Sequence, residues 1–137
     1  MSRITEMMKQ HAQATSLDIK LIDECIEICF ECAEVTAACA DICLGSPEVD
    51  HMRACIRTCL DASEVCSVTA RMLVRQTEQD WRLARTMLGA CSRATSICGD
   101  ECGSHADHGD HHRLCAETCR RCDDLCRSLL EELPAKA

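Results

Sequence analysis

Residues 115–126 read CAETCRRCDDLC, four cysteines separated by steps of four, three and four. At about 100° per residue those steps keep all four on one face of an α-helix. A disulfide scaffold built of loops has no need of that period. The segment is therefore read as a helix carrying a stripe of sulfur.

Working outward, the same pattern recurs along the chain. Cys25, Cys29, Cys32, Cys39 and Cys43 form one set, Cys55, Cys59 and Cys66 a second, and Cys91, Cys98 and Cys102 a third. Within each set every step is three, four or seven residues. Each stripe is roughly 80° wide or narrower, the geometry of a seam that faces a core. Four seams of this kind predict four helices with all fifteen thiols pointing into a common interior. End signals divide them. Gly45 reads as a C′ glycine, and Ser46-Pro47-Glu48 as a cap, a first-turn proline and an early acid. Thr77, followed by Glu78, Gln79 and Asp80, caps the next helix, and the polar SHADHGD run (104–110) precedes the last. The expected segments are 15–45, 46–76, 77–103 and 110–133, with a short amphipathic helix over 2–13. The fold class expected is all-α: an up-down-up-down four-helix bundle with a short extra N-terminal helix, one domain over 1–137.

The chain also repeats itself. Cys32, Thr36, Cys39, Asp41 and Cys43 align with Cys91, Thr95, Cys98, Asp100 and Cys102. Beyond the turn, DHMRACIRTC (50–59) aligns with DHHRLCAETC (110–119), and Cys66 with Cys126. The repeating unit is a helical hairpin, and two copies are too few for a solenoid.

Cysteine at 15 of 137 residues, with Trp81 and Phe30 the only aromatics, invites a secreted disulfide protein as the default. The odd count leaves a thiol over, and MSRITEMMKQHAQATSLDIK has no apolar run resembling an export signal. The expectation is a cytoplasmic protein with reduced thiols. A net charge of −8 argues against nucleic acid and anionic membrane partners, and no stretch is long and apolar enough to span a bilayer.

A cysteine taken alone is often just a small buried hydrophobe. Fifteen of fifteen on core seams is a different matter, because Leu, Ile or Val would fill that space better. Disulfides within a helix fit poorly, since Cβ atoms at i and i+4 are about 5–6 Å apart and a bridge needs about 3.8 Å. Metal held between sulfurs fits: with bonds near 2.3 Å, the two sulfurs of a linear unit sit roughly 4.6 Å apart. The C-x3-C and C-x2-C steps are accordingly expected to form bridging dithiolate sites along the tube. Soft thiolate favours copper(I), zinc or an iron–sulfur cluster. Zinc prefers closed groups of four, and iron–sulfur motifs such as C-x2-C-x2-C are absent. Copper(I) accepts low coordination and shared sulfurs, and one +1 ion per thiolate leaves the core near neutral. Multiple Cu(I) ions are the expected cargo. An iron–sulfur electron carrier and a zinc or thiol-redox protein stand as the alternatives.

An up-down-up-down bundle brings the Gly45 turn and the Gly103 loop to one end. His51, Met52, His105, His108, His111 and His112 then surround one mouth, which predicts the entry point, with His108 and His111 favoured over His105 as ligands. The other end gathers Leu17, Leu21, Ile22, Met72, Leu73, Val74, Trp81, Leu83, Met87, Leu88, Leu129, Leu130 and Leu133 into a dry plug. No nucleophile–base constellation stands out, so no enzymatic activity is expected.

Over nearly its whole length the chain resembles the cytosolic copper storage proteins of bacteria. The resemblance rests on the cysteine stripes, the C-x3-C-x2-C of Cys25 to Cys32, the CAETCRRCDDLC run and the histidine-rich mouth. It implies copper(I) held mainly by the fifteen cysteines, mouth histidines assisting, and a homotetramer. A copper chaperone or efflux regulator is the expected protein partner.

Overall fold

A computed structural model describes residues 3–11 and 17–134. It comprises α1 (Arg3–Met8), α2 (Ile19–Leu44), α3 (Arg53–Leu73), α4 (Trp81–Ser104) and α5 (Asp110–Glu132), with short 3-10 turns at Val49–His51 and Ala106–His108. Each long helix packs on its two chain neighbours, and α5 closes the ring against α2. That is the expected all-α, up-down-up-down bundle with a short extra helix. The sequence-expected positions at 2, 12–13 and 15–16 and the chain's last three residues lie outside the described residues.

Helix ends depart from the sequence reading where side chains compete for the cap. The second helix is capped by Asp18, whose carboxylate accepts from the backbone N–H of Lys20 and Leu21. Gly45 closes it with φ −84°, an ordinary right-handed residue rather than the left-handed C′ glycine expected. The helix placed at 46–76 begins only at Arg53. Ser46 Oγ accepts from Glu48 N–H at 3.1 Å, and the chain then tightens into i→i+3 bonds, His51 N–H to Glu48 O and Met52 N–H to Val49 O. That tight turn buries Met52. Thr77 is not the cap of α4. Glu78 sits in the left-handed region at φ 54°, which interrupts helical continuity, and Asp80 takes the role by accepting from Arg82 N–H.

The core changes character along its axis. At the end where α3 passes to α4, Ile22, Leu73, Leu88 and Leu129 are fully buried, with Leu17 and Leu133 close behind. Leu21, Val74, Trp81 and Leu130 pack on them, and α1 adds Met8 and Ile4. Leu83 is a correction: it lies on the flank of α4, 53% exposed, and not in the plug. Above this layer the interior is cysteine. Among the described helices α4 and α5 lie close together at Gly99, where a Cβ would come within 3.4 Å of Cys119 Cβ. A polar contact joins the same pair: the Ser92 hydroxyl of α4 donates to Asp123 of α5, whose carboxylate also accepts from the exposed Arg127 one turn along its own helix.

Candidate metal centre

All fifteen cysteines are buried free thiols, none more than 2% exposed, as the seam reading expects. Near the mouth, Cys39, Cys59, Cys102 and Cys115 place four sulfurs within 4.8 Å of one another. Cys55 lies 3.5 Å from Cys102, and Cys98 lies 3.6 Å from Cys59. Deeper, Cys29, Cys91, Cys122 and Cys126 make a second four-sulfur group, and Cys32, Cys66 and Cys122 a three-sulfur one. Cys25 interacts with Cys126 and Cys29 below them.

The close pairs are mostly between helices. Cys98–Cys102 at 3.8 Å keeps the expected i, i+4 form, whereas Cys29–Cys122, Cys59–Cys115, Cys66–Cys91 and Cys102–Cys115 join different helices at 3.5–3.9 Å. Side chains on one helix lean the same way and stay apart, while those of facing helices interdigitate. With bonds near 2.3 Å a three-coordinate metal needs sulfurs about 4.0 Å apart, so these clusters suit trigonal and bridged sites better than isolated linear ones.

The mouth is a surface cavity of about 140 Å³, lined by Cys43, Met52, His108, His111 and His112 with Ser46, Pro47 and Glu48. His112 is the buried one, 1% exposed. Its Nδ1 is 3.7 Å from Cys55 Sγ and its Nε2 4.0 Å from Cys43 Sγ, so one ring spans the last thiol of α2 and the first of α3. His111 Nε2 is 3.7 Å from Cys43 Sγ, and the two rings lie 4.0 Å apart. His105 stands 5.4 Å from His112 and 5.7 Å from His108. Its Nε2 is 3.1 Å from Glu101 Oε1, and its buried Nδ1 has no hydrogen-bond partner. His108 is exposed at the rim. His51 is exposed on the first 3-10 turn and takes no part in these ring contacts. Sequence favours His108 and His111; the rings that lie nearest sulfur are those of His111 and His112. Met52 was placed at the mouth but not among the ligand candidates, and it is 3% exposed against the same cavity. The signal was in the repeat, which aligns Met52 with His112.

Sulfurs this close cannot all ionise together; a thiolate is stabilised where neighbouring thiols donate to it. Hydrogen bonds from Cys126 and then Cys29 hold Cys25 down at about 5. Cys39 is lowered in the same way by Cys102 and Cys115, while Cys59 is held protonated against them. Burial, then Cys39 and Cys55, pushes Cys43 up to about 12. Burial, then His111, keeps His112 below the ordinary imidazole value, so its lone pair is available at neutral pH.

Fold and site together define a four-helix bundle whose interior is a column of soft metal donors with a histidine-rimmed opening. The sequence profile of the copper storage protein family matches residues 18–131, and the chain belongs to that family. Its backbone superposes with a TM-score of 0.93 on the copper storage protein Ccsp of Streptomyces lividans loaded with 10 copper equivalents, at 39% identity over 95% of this chain and 99% of that one. A structure of a cytosolic copper storage protein from the same organism with five coppers matches at 43% identity and TM-score 0.82, covering 84% and 96% of the two chains. A Ccsp variant with two histidines changed to alanine matches at 42% identity and TM-score 0.86, over 87% and 100%. No curated protein sequence matches the chain.

Proposed function

We propose that this chain stores copper(I), binding many ions through the fifteen cysteine thiolates of the bundle interior and admitting them at the histidine mouth. The observation that carries the reading is the sulfur column itself, fifteen buried thiols with pairs 3.5–3.9 Å apart between helices at several levels of the bundle. Copper(I) suits it because soft thiolates favour that ion, shared sulfurs give low coordination, and one charge per thiolate keeps a dry interior near neutral. Cys43, His111 and His112 are the first ligands in this reading, with His105 and His108 assisting at the rim and Met52 offering a thioether. His51 stays in solvent.

The protein acts as a reservoir without catalysis, as one domain, in the cytoplasm. A copper chaperone or an efflux regulator exchanges ions with it at the mouth. The homotetramer implied by the family resemblance is supported by exposed Ile42, Leu60, Val68, Ile97 and Leu114 on the outer helix faces, apolar surface that copies would share. Sedimentation of the apo protein tests the assembly.

The decisive experiment is an anaerobic titration of the reduced protein with copper(I) against a chromophoric competitor ligand. Retention of about one ion per cysteine supports storage. Saturation at about one to four ions would mean a discrete zinc-like or iron–sulfur-like centre instead.

A further inference from the structure

The sulfur column narrows once. Cys59 faces Cys98 at 3.6 Å and Cys66 faces Cys91 at 3.7 Å. Between those two pairs, the inward positions of α3 and α4 are Ala62 and Thr95, both fully buried. Thr36 of α2, also fully buried, sits one turn nearer the mouth than Cys32. The hydroxyls are already engaged: Thr36 Oγ1 donates to Cys32 O at 2.6 Å and Thr95 Oγ1 to Cys91 O at 2.8 Å. Hydroxyl oxygen is in any case a poor donor for a soft ion, and alanine offers none. In the second hairpin the position matching Ala62, sixty residues on, is Cys122. A sulfur therefore fits this register in one hairpin and is missing from the other.

At this waist the sulfurs are those of Cys32, Cys119 and, on the inner side, Cys122; Cys32 and Cys119 lie 3.8 Å apart. Toward the mouth, Cys119 interacts with Cys98 and Cys115. Toward the plug, Cys32 groups with Cys66 and Cys122. Among the described residues, Cys32–Cys119 is the one thiol–thiol hydrogen bond that joins the outer thiols to the inner ones.

We infer that the store is two compartments in series, and that Cys119 and Cys32 form the relay through which copper(I) reaches the inner one. The inference rests on the copper-storage reading. In each transfer an ion held by Cys98 or Cys115 gains a bond to the Cys119 sulfur as a bond to its former sulfur breaks. The Cys119 proton passes to the vacated thiolate, and the copper remains +1 with no electron transferred. The same exchange carries the ion to Cys32 and then to Cys66 or Cys122. Without the relay, an ion leaving the outer thiols would have to pass the Ala62 and Thr95 positions, where α3 and α4 offer no sulfur, before reaching Cys66 or Cys122.

The test is anaerobic stopped-flow loading, with copper(I) supplied as its complex with a chromophoric ligand and the copper–thiolate absorbance followed. Wild type is expected to fill in one continuous course. In Cys119→Ser and, independently, Cys32→Ser, about half of the copper should enter at the wild-type rate and the remainder at least about tenfold more slowly. Cys25→Ser, at the closed end, should lose capacity without acquiring a slow phase. Thr95→Cys added to Cys119→Ser returns a sulfur to the same layer and should restore single-phase filling, which general damage to the fold would not allow. Filling of both relay variants in one course at the wild-type rate, short by no more than the missing ligand, would overturn the partition while leaving storage intact. A wild type that saturates at a few ions would instead overturn the storage reading, and the relay with it.

Discussion

At the mouth of the bundle the buried side chains are Cys43, Met52 and His112; at the far end they are Ile22, Leu73, Leu88 and Leu129. Both layers cap the same column of thiols, and both are closed by residues from all or most of the long helices. The first set offers lone pairs and opens onto a cavity. The second offers only hydrocarbon, each Leu or Ile contributing roughly 1.5–3 kcal/mol when fully buried. The contrast separates two tasks along one axis. Folding of the empty protein leans on the apolar end, and metal exchange belongs to the polar one, so the thiol section between them is free to be poor packing until copper fills it.

The largest effect expected from this contrast is that of copper on stability. Because the ions tie four helices together through the section that packs least well, saturation should raise the unfolding free energy by about 10 kcal/mol or more. Denaturant unfolding of empty and loaded protein measures it, and identical midpoints would show that the thiol section needs no metal. Next in size, Leu88→Ala or Leu129→Ala should cost the empty protein about 2–5 kcal/mol by leaving a cavity in the plug. Copper capacity should stay as in wild type; a parallel loss of capacity would mean the two ends are not independent.

Smaller effects sharpen the other end. His112→Ala removes the ring that spans Cys43 and Cys55 and should slow uptake of the first ions by about tenfold, with final capacity nearly unchanged. An unaltered initial rate would move entry away from this ring. His51→Ala is the control, an exposed histidine that the repeat aligns with His111: it should change stability by less than about 0.5 kcal/mol and leave loading as it was.

Much of this division was legible from residue spacing. The seams at Cys25–Cys43 and Cys115–Cys126 keep a helical period that no turn interrupts, and periodicity of that length overrides local ambiguity. The connections were harder to read. Ser46-Pro47-Glu48 satisfies the rules for a helix start, yet its capping oxygen is used inside a turn, and the helix waits until Arg53. Thr77 likewise lost to Asp80 because the left-handed Glu78 lies between them. Which histidines meet sulfur depends on rotations set by those connections, so adjacent His111 and His112 could be placed at the mouth from sequence but not ranked. Sulfur pairing between helices was also invisible, since spacing within one helix says nothing about the stagger of its neighbours.

The scarcity of aromatic residues has an optical consequence. With no tyrosine and a single tryptophan, the chain is nearly transparent in the near ultraviolet. Trp81 packs against the apolar end, at the opposite end of the bundle from His112 and Cys43. Its emission therefore watches the closed end of the bundle, while absorption by the metal–sulfur chromophore is read against an almost empty background. Melting and filling can be followed in one cuvette without adding a label.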